Sequence, residues 1–252
     1  MRSWKVAVAL LAMICGLLPL PGWSAIIITG TRVIYPESSR EVNVRLTNVS
    51  DSPVLVQSWI DDGHENASPD KIEVPFVLLP PVVRVDPKKG QTLRLMYNGD
   101  PLPKDRESVF WLNVLEIPPA PIAPEGKNLM QLAFRTRIKL FFRPDALADV
   151  PLNLDRKLTW SLAADSADHP MLRVNNPTAY YFSFNPIKVA AGGRELTFDP
   201  GMVAPFAQHD FASKDSMPAV TGPAQIAYKW LNDFGAEVAG TTTTAGKNGK
   251  GE

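Results

Sequence analysis

A chain of 252 residues, 45% hydrophobic and 21% charged with no formal net charge, is long enough for one or two globular domains with real cores, and is neither disordered nor fibrous. Its 24 prolines, spread among short apolar alternations, argue against a helical bundle and for a turn-rich, all-β protein. The balanced charge gives no support to bulk binding of nucleic acid or of an anionic membrane.

The chain begins with Arg2 and Lys5, then the apolar run Val6 to Leu18, then Pro19, Pro21 and Gly22 ahead of small residues, the pattern of an export signal. The run is too short to cross a bilayer, which takes about 20 apolar residues. Gly22 and Ser24 supply the small side chains expected before a cut, so residues 1–24 read as a signal peptide and Ala25 as the mature start. A cut after Ala25 would put the bulky Trp23 at the third position back. Cys15 is the only cysteine, and Ile14 is not the small residue expected before a lipidated one, so Cys15 belongs to the signal core. The mature chain then has no disulfide and no thiol chemistry and must be held by its core alone. Losing Arg2 and Lys5 takes Lys+Arg from 26 to 24 against 26 Asp+Glu, a net charge of about −2.

Ile26 to Tyr35 is the first predicted strand, interrupted at Gly30, where a bulge or a switch of sheet is expected. Val42, Val44 and Leu46 alternate with polar neighbours as a half-buried second strand, and Val54 to Ile60 is the third. The segment Asp61, Asp62, Gly63, His64, Glu65, Asn66 lacks the ligand spacing and distal glutamate of a calcium hand and is expected to be a solvated loop. Phe76 to Val85, Thr92 to Tyr97 and Val109 to Ile117 continue the set, and Pro118 to Asn128 is a proline-rich loop.

The stretch Met130 to Arg143, MQLAFRTRIKLFFR, carries apolar residues at Met130, Leu132, Phe134, Ile138, Leu140 and Phe142, with mostly polar or basic residues between them. That is a period of two, hence a strand. Its length, about 40 Å, is roughly double the usual. Ile138 to Phe142 suffices for the strand's own core, which leaves Met130, Leu132 and Phe134 as an apolar row with no obvious partner in the same molecule. Such an edge is a hazard unless another chain is meant to pair with it. Roughly seven strands at this spacing fit an immunoglobulin-like sandwich.

The segment PDALADVP, residues 144–151, reads as an interdomain link. A second set of strands follows at Leu158 to Ala163, Met171 to Asn175, Tyr180 to Phe184, Val189 with Glu195 to Phe198, and Gln225 to Leu231. Asn176-Pro177, Gly192-Gly193 and Asp199-Pro200-Gly201 mark the turns. The organisation expected is a signal peptide over 1–24, domains over 25–146 and 147–239, and a low-complexity, disordered tail over 240–252.

Chemistry-bearing motifs are missing. His64, His169 and His209 have no second ligand at metal-binding spacing, and there is no nucleophile elbow, phosphate loop or dinucleotide fingerprint. No cofactor or metal is expected, and an enzyme survives only as an untested remainder.

Taken together, TRVIYPE, LTN followed by VQSWID, FVLLPPVVRVDP, TLRLMYN, LPKDRESVFWLNVLEIPP, RIKLFFRP, NNPTAYYFSF and LNDFG resemble the periplasmic pilus-assembly chaperones over most of the mature chain. The resemblance implies two immunoglobulin-like β-sandwich domains at an angle with an interdomain cleft, no catalytic activity, and a periplasmic location. It implies pilus or fimbrial subunits and an outer-membrane usher as partners, with no nucleic acid and no small-molecule substrate. By the same resemblance Arg32 and Lys139 lie in the cleft and anchor a subunit's terminal carboxylate. Met130, Leu132 and Phe134 match donor residues that complete the subunit's unfinished sandwich. Glu107, Arg143 and Asp233 match an ionic link between domains, and the cysteine-free loop Pro118 to Asn128 is closer to the short-loop class. Without the resemblance, Arg32 and Lys139 read as solvated strand charges; the alternative for the apolar row is that it belongs to the chain's own core, and for the whole chain an adhesive or carbohydrate-binding β module. The uncovered edge also leaves self-association of the free chain as an option.

Overall fold

The computed structural model describes residues 25–120, 130–166, 169–213 and 223–244, so the expected signal peptide and most of the Pro118 to Asn128 loop lie outside the described residues. Apart from single 3-10 turns, the regular elements are strands.

The first nine are β1 (Ile26–Ile28), β2 (Arg32–Pro36), β3 (Val42–Asn48), β4 (Val54–Asp61), β5 (Phe76–Leu79), β6 (Val82–Val85), β7 (Gly90–Tyr97), β8 (Ser108–Ile117) and β9 (Phe134–Arg143). They make two sheets, ordered β1-β3-β7-β5 and β2-β9-β8-β4-β6. The interruption at Gly30 is a switch of sheet: with φ +93° there, the chain leaves β1 in one sheet and enters β2 in the other. The segment expected as one strand over Phe76 to Val85 is two, β5 and β6, in opposite sheets. Pro80 and Pro81 between them have no N–H for a ladder, and the chain crosses there. Alternation in β3, β7 and β9 points Val44, Leu46, Leu93, Leu95, Leu140 and Phe142 into the space between the sheets. Tyr35 is fully buried with its hydroxyl satisfied: it accepts from Tyr97 N at 3.0 Å and donates to Ser39 O at 3.0 Å.

Nine more strands follow: β10 (Thr159–Ser166), β11 (His169–Asn176), β12 (Phe182–Phe184), β13 (Ile187–Ala191), β14 (Arg194–Phe198), β15 (Gly201–Val203), β16 (Ala207–Ala212), β17 (Gln225–Leu231) and β18 (Glu237–Thr243). Their sheets are β10-β11-β16 and β14-β13-β17-β12-β15, with β18 also on β17. A separate core fills this half, built on Trp160, Phe182, Phe184, Phe198, Phe211 and Tyr228. The two halves repeat one turn device. Asn48 Nδ2 donates to Ser52 O and Val85 O, and Asn176 Nδ2 donates to Tyr180 O and Ala204 O, each asparagine tying a strand end to two loops.

Two expectations are corrected. Disorder does not begin at 240, because Gly240 to Thr243 pair with β17 and Thr244 Oγ1 accepts from Ala224 N at 3.0 Å. The threonine-rich composition hid this strand, and Gly240 belongs in it because the Tyr228 ring occupies the place a Cβ would take. The long strand starts at Phe134 rather than Met130. Its last partner is Glu116, β8 ends at Ile117, and Pro118 and Pro119 offer no N–H to carry the ladder further.

Candidate functional site

Because β9 alternates, Ile138, Leu140 and Phe142 point into the first core and Arg137, Lys139, Phe141 and Arg143 point out of it. β2 joins β9 in parallel with Arg32 opposite Lys139 and Pro36 opposite Arg143. Arg32 therefore stands beside Lys139, and this outward face is covered by the second half of the chain. Phe141, 2% exposed, packs its ring 5.6 Å from that of Tyr181, and the Arg32 guanidinium lies 5.5 Å from the Phe141 centroid.

Lys139 Nζ donates to Ser183 Oγ at 3.0 Å and Arg32 Nη1 to Leu231 O at 2.8 Å. Among the described residues neither cation has a carboxylate within ion-pair distance, and Arg32 Nε is buried without an acceptor. Burial, helped by the neighbouring Arg32 charge, lowers the Lys139 ammonium to about 8. Burial likewise lowers Arg32, against the pull of Asp233 and Glu107. Two cations side by side, partly stripped of water and held by neutral acceptors, suit a carboxylate taken by both.

Beside them runs a joint between the halves. Arg143 Nε and Nη2 donate to Glu107 Oε1 at 2.9 and 2.8 Å, and its Nη1 and Nη2 reach Asp233 at 2.7 and 2.9 Å. Glu107 and Arg143 are 4% and 8% exposed. Burial raises Glu107 above the usual carboxylate range although Arg143 draws it down. For Arg143 burial works against the charge but is outweighed by Asp233 and Glu107, and its pKa is raised. Glu107 also accepts from Tyr181 N at 2.9 Å and donates its own N–H to Ala179 O at 2.9 Å. Gly235, at φ +76°, brings the turn after Asp233 so close to Thr31 that a Cβ would collide with the Thr31 hydroxyl. A cavity of about 350 Å³ lies in this joint, bordered by Arg32, Ile34, Phe141, Tyr181 and Trp230.

Upstream, β9 has β8 on one side only over residues 134–138, since β2 begins at the level of Lys139. The apolar row continues off that open edge with Met130 86%, Leu132 58% and Phe134 46% exposed, so none of the three belongs to the chain's own core. On the outward face the same half of β9 is held by a charge network. Asp61, fully buried, accepts from Arg137 Nε and Nη2 at 3.0 and 2.5 Å, from Asn113 Nδ2 at 2.7 Å and from Gly63 N at 2.8 Å. Arg135 Nε donates to Asn113 Oδ1 at 2.8 Å, and Arg137 and Arg135 lie over Trp111 and Trp59 at 4.6 and 5.1 Å. Burial alone would raise Asp61, but these donors outweigh it and its pKa is lowered. The expectation of a solvated loop is thus corrected at its first residue: Asp61 is a buried acceptor, while Asp62 to Asn66 are exposed. Asp61→Ala leaves Arg137 with only the exposed Glu65, 3.8 Å away, as counter-charge, leaves Asn113 Nδ2 without that acceptor, and is expected to cost about 2–3 kcal/mol. Urea unfolding measures it, and amide exchange should show the loss of protection concentrated in the first half of β9.

Asp61, Asn113, Ser183, Tyr181 and Gly235 had no sequence signal of their own. The Lys139–Ser183 and Asp61–Arg137 pairs join residues 44 and 76 apart, which only the folded sheets bring together.

Two family models match the chain: the Pili and flagellar-assembly chaperone, PapD N-terminal domain over residues 25–148, and the Pili assembly chaperone PapD, C-terminal domain over 153–242. The chain is 47% identical over 218 residues to the probable fimbrial chaperone YadV of Escherichia coli (strain K12), covering 85% of this chain and 88% of that protein. It is 42% identical over 243 residues to the chaperone protein FimB/FhaD of Bordetella pertussis, covering 93% and 96%. Among solved structures, the YadV chaperone superposes with a TM-score of 0.74 at 44% identity, covering 87% of this chain and all of that one. The Salmonella enterica SafA pilin in complex with the SafB chaperone gives a TM-score of 0.71 at 28% identity, covering 89% and 97%.

Proposed function

The chain belongs to the PapD family of pilus-assembly chaperones, a family without enzymatic activity, and from that premise we propose that it captures secreted fimbrial subunits by a carboxylate anchor joined to a lent strand. Arg32 and Lys139 take the subunit's terminal carboxylate. The open edge of β9 pairs with the subunit's backbone, and Met130, Leu132 and Phe134 enter its unfinished core, the mode of strand addition known for chaperone and pilin. The observation that carries this reading is the continuity of the two parts: the open half of β9 runs directly into the paired cations, so a strand laid along the edge ends on them.

Glu107, Arg143 and Asp233 hold the angle between domains 25–146 and 147–239 at which the anchor is assembled. The subunit is handed on to an outer-membrane usher. Residues 1–24 direct the chain to the periplasm and are removed between Ser24 and Ala25. Family membership displaces the stand-alone adhesive reading.

Replacing Met130, Leu132 and Phe134 together by serine tests the lent strand. All three are exposed in the free chain, so its stability should stay within about 0.5 kcal/mol. Capture should weaken by about tenfold or more per side chain, since burying each is worth about 1.5–3 kcal/mol. Retention of a co-exported subunit by the tagged triple variant at the parental level would refute the role of the row.

A further inference from the structure

The main-chain nitrogens of Ala25 and Ile26 both end on a buried acid. Ala25 N donates to Glu116 Oε1 at 3.2 Å and Ile26 N to Glu116 Oε2 at 2.8 Å, and Glu116 is only 6% exposed. Both oxygens of one carboxylate are turned on two successive main-chain nitrogens about ninety residues away. The arrangement is fixed from both sides. Ala25 O accepts from Val49 N at 2.8 Å, Ile26 is 5% exposed and pairs with Asn48, and Glu116 sits in β8 opposite Phe134, the last pair of the β8–β9 ladder.

We propose that Glu116 is the receiving site for the α-ammonium that processing creates on Ala25, so that removal of the signal converts a hydrogen bond into a buried ion pair. The inference rests on the reading that the cut falls between Ser24 and Ala25. Water adds across that amide under a signal-cleaving peptidase, leaving a carboxylate on Ser24 and an amine on Ala25. With an ordinary α-amino pKa of about 7.7–8.0, the amine takes up a proton at neutral pH. Before the cut the atom 3.2 Å from Glu116 Oε1 is a neutral amide nitrogen; after it, the same atom carries a full charge and three N–H donors.

A buried carboxylate is costly unless a charge or several donors compensate it, and charge-assisted bonds are the stronger kind. The position of the charge is specific, because one retained residue moves it outward by about 3.3–3.6 Å. Processing therefore completes the packing at the end of β8, directly beside the point where the apolar row leaves the sheet, and does so only in the exported chain.

The test begins with the mass of the secreted chain, which fixes its first residue. Chains starting at Ala25 are then compared by urea unfolding with the α-amine free or acetylated, each with Glu116 or with Glu116→Gln. Acetylation should lower the folding equilibrium constant by roughly tenfold with Glu116 present, the scale of one hydrogen bond to a charged group, and by less than about twofold in Glu116→Gln. A chain retaining Ser24 should be as destabilised as the acetylated one. Equal effects of acetylation in both backgrounds, or a Ser24-retaining chain as stable as the Ala25 chain, would overturn the proposal. If Glu116→Gln does not fold, the free, acetylated and Ser24-retaining chains decide it among themselves. A secreted chain beginning elsewhere would overturn the cleavage reading itself, a failure distinct from loss of coupling in a chain shown to start at Ala25.

Discussion

Lys139→Ala is expected to abolish stable co-purification of a subunit while leaving the chaperone folded. The side chain contributes little to its own domain: its ammonium is held by a single neutral hydroxyl, that of Ser183, and burial has already pushed its pKa from the ordinary 10.5 to about 8. A group in that position destabilises the free protein slightly as a cation and becomes favourable only when an anion arrives. Truncating it removes one of two charge-assisted bonds to a desolvated carboxylate, a loss of about 2–5 kcal/mol in affinity, which is thirtyfold or more. Arg32→Ala should act in the same direction. Pull-down with a tagged subunit, beside urea unfolding of the free variant, separates loss of capture from loss of fold. Capture at the parental level by both variants would remove the anchor assignment.

The same lysine sets two opposite pH trends. Its folded pKa lies below its unfolded one, so between pH of about 8 and 10.5 the unfolded chain binds more protons and the free protein gains stability as pH rises. Over that range Lys139 loses the charge that a carboxylate needs, so capture should hold steady from pH 6 to about 7.5 and weaken above about 8. In Lys139→Arg, which stays charged throughout, the decline in capture should flatten.

The periodicity of Met130 to Arg143 disclosed a strand and an apolar surplus, because alternation is a local property that sequence carries in full. It did not disclose where the strand begins. That is set by the end of β8 at Ile117, whose Pro118 and Pro119 withdraw the hydrogen bonds Met130 and Leu132 would need. Nor did it show that Phe141 and Arg143, on the polar side of the alternation, are as buried as Phe142: their cover is Tyr180 and Tyr181 from the other half of the chain. The cations Arg32 and Lys139 were legible only through the resemblance, since a basic residue on a strand face has the same local pattern whether water or a partner waits for it. β18 was hidden because a strand lying on a sheet already rich in aromatics can be built from threonine and glycine.

Arg143→Ala should be the most damaging single change to the fold, costing about 3–5 kcal/mol. The arginine is the only group bonded to both Glu107, just ahead of β8, and Asp233, in the turn between β17 and β18, among the described ion pairs. Removing it leaves the Glu107 carboxylate buried with one main-chain donor, Tyr181 N, and no ion-pair partner, and burial already raises that carboxyl. The variant must then protonate Glu107 or open the joint. Opening the joint pulls Ser183 away from Lys139 and Leu231 away from Arg32, so the anchor would lose its geometry although no anchor residue has changed. Calorimetry is expected to show one unfolding transition for the parent and two for the variant, with subunit capture falling in parallel. Glu107→Gln combined with Arg143→Met, which removes both buried charges and keeps the volume, should recover much of the stability but not the coupling between domains. If the double variant unfolds in one transition like the parent, packing around Phe141 and Tyr181 rather than the ion pairs would be what fixes the angle.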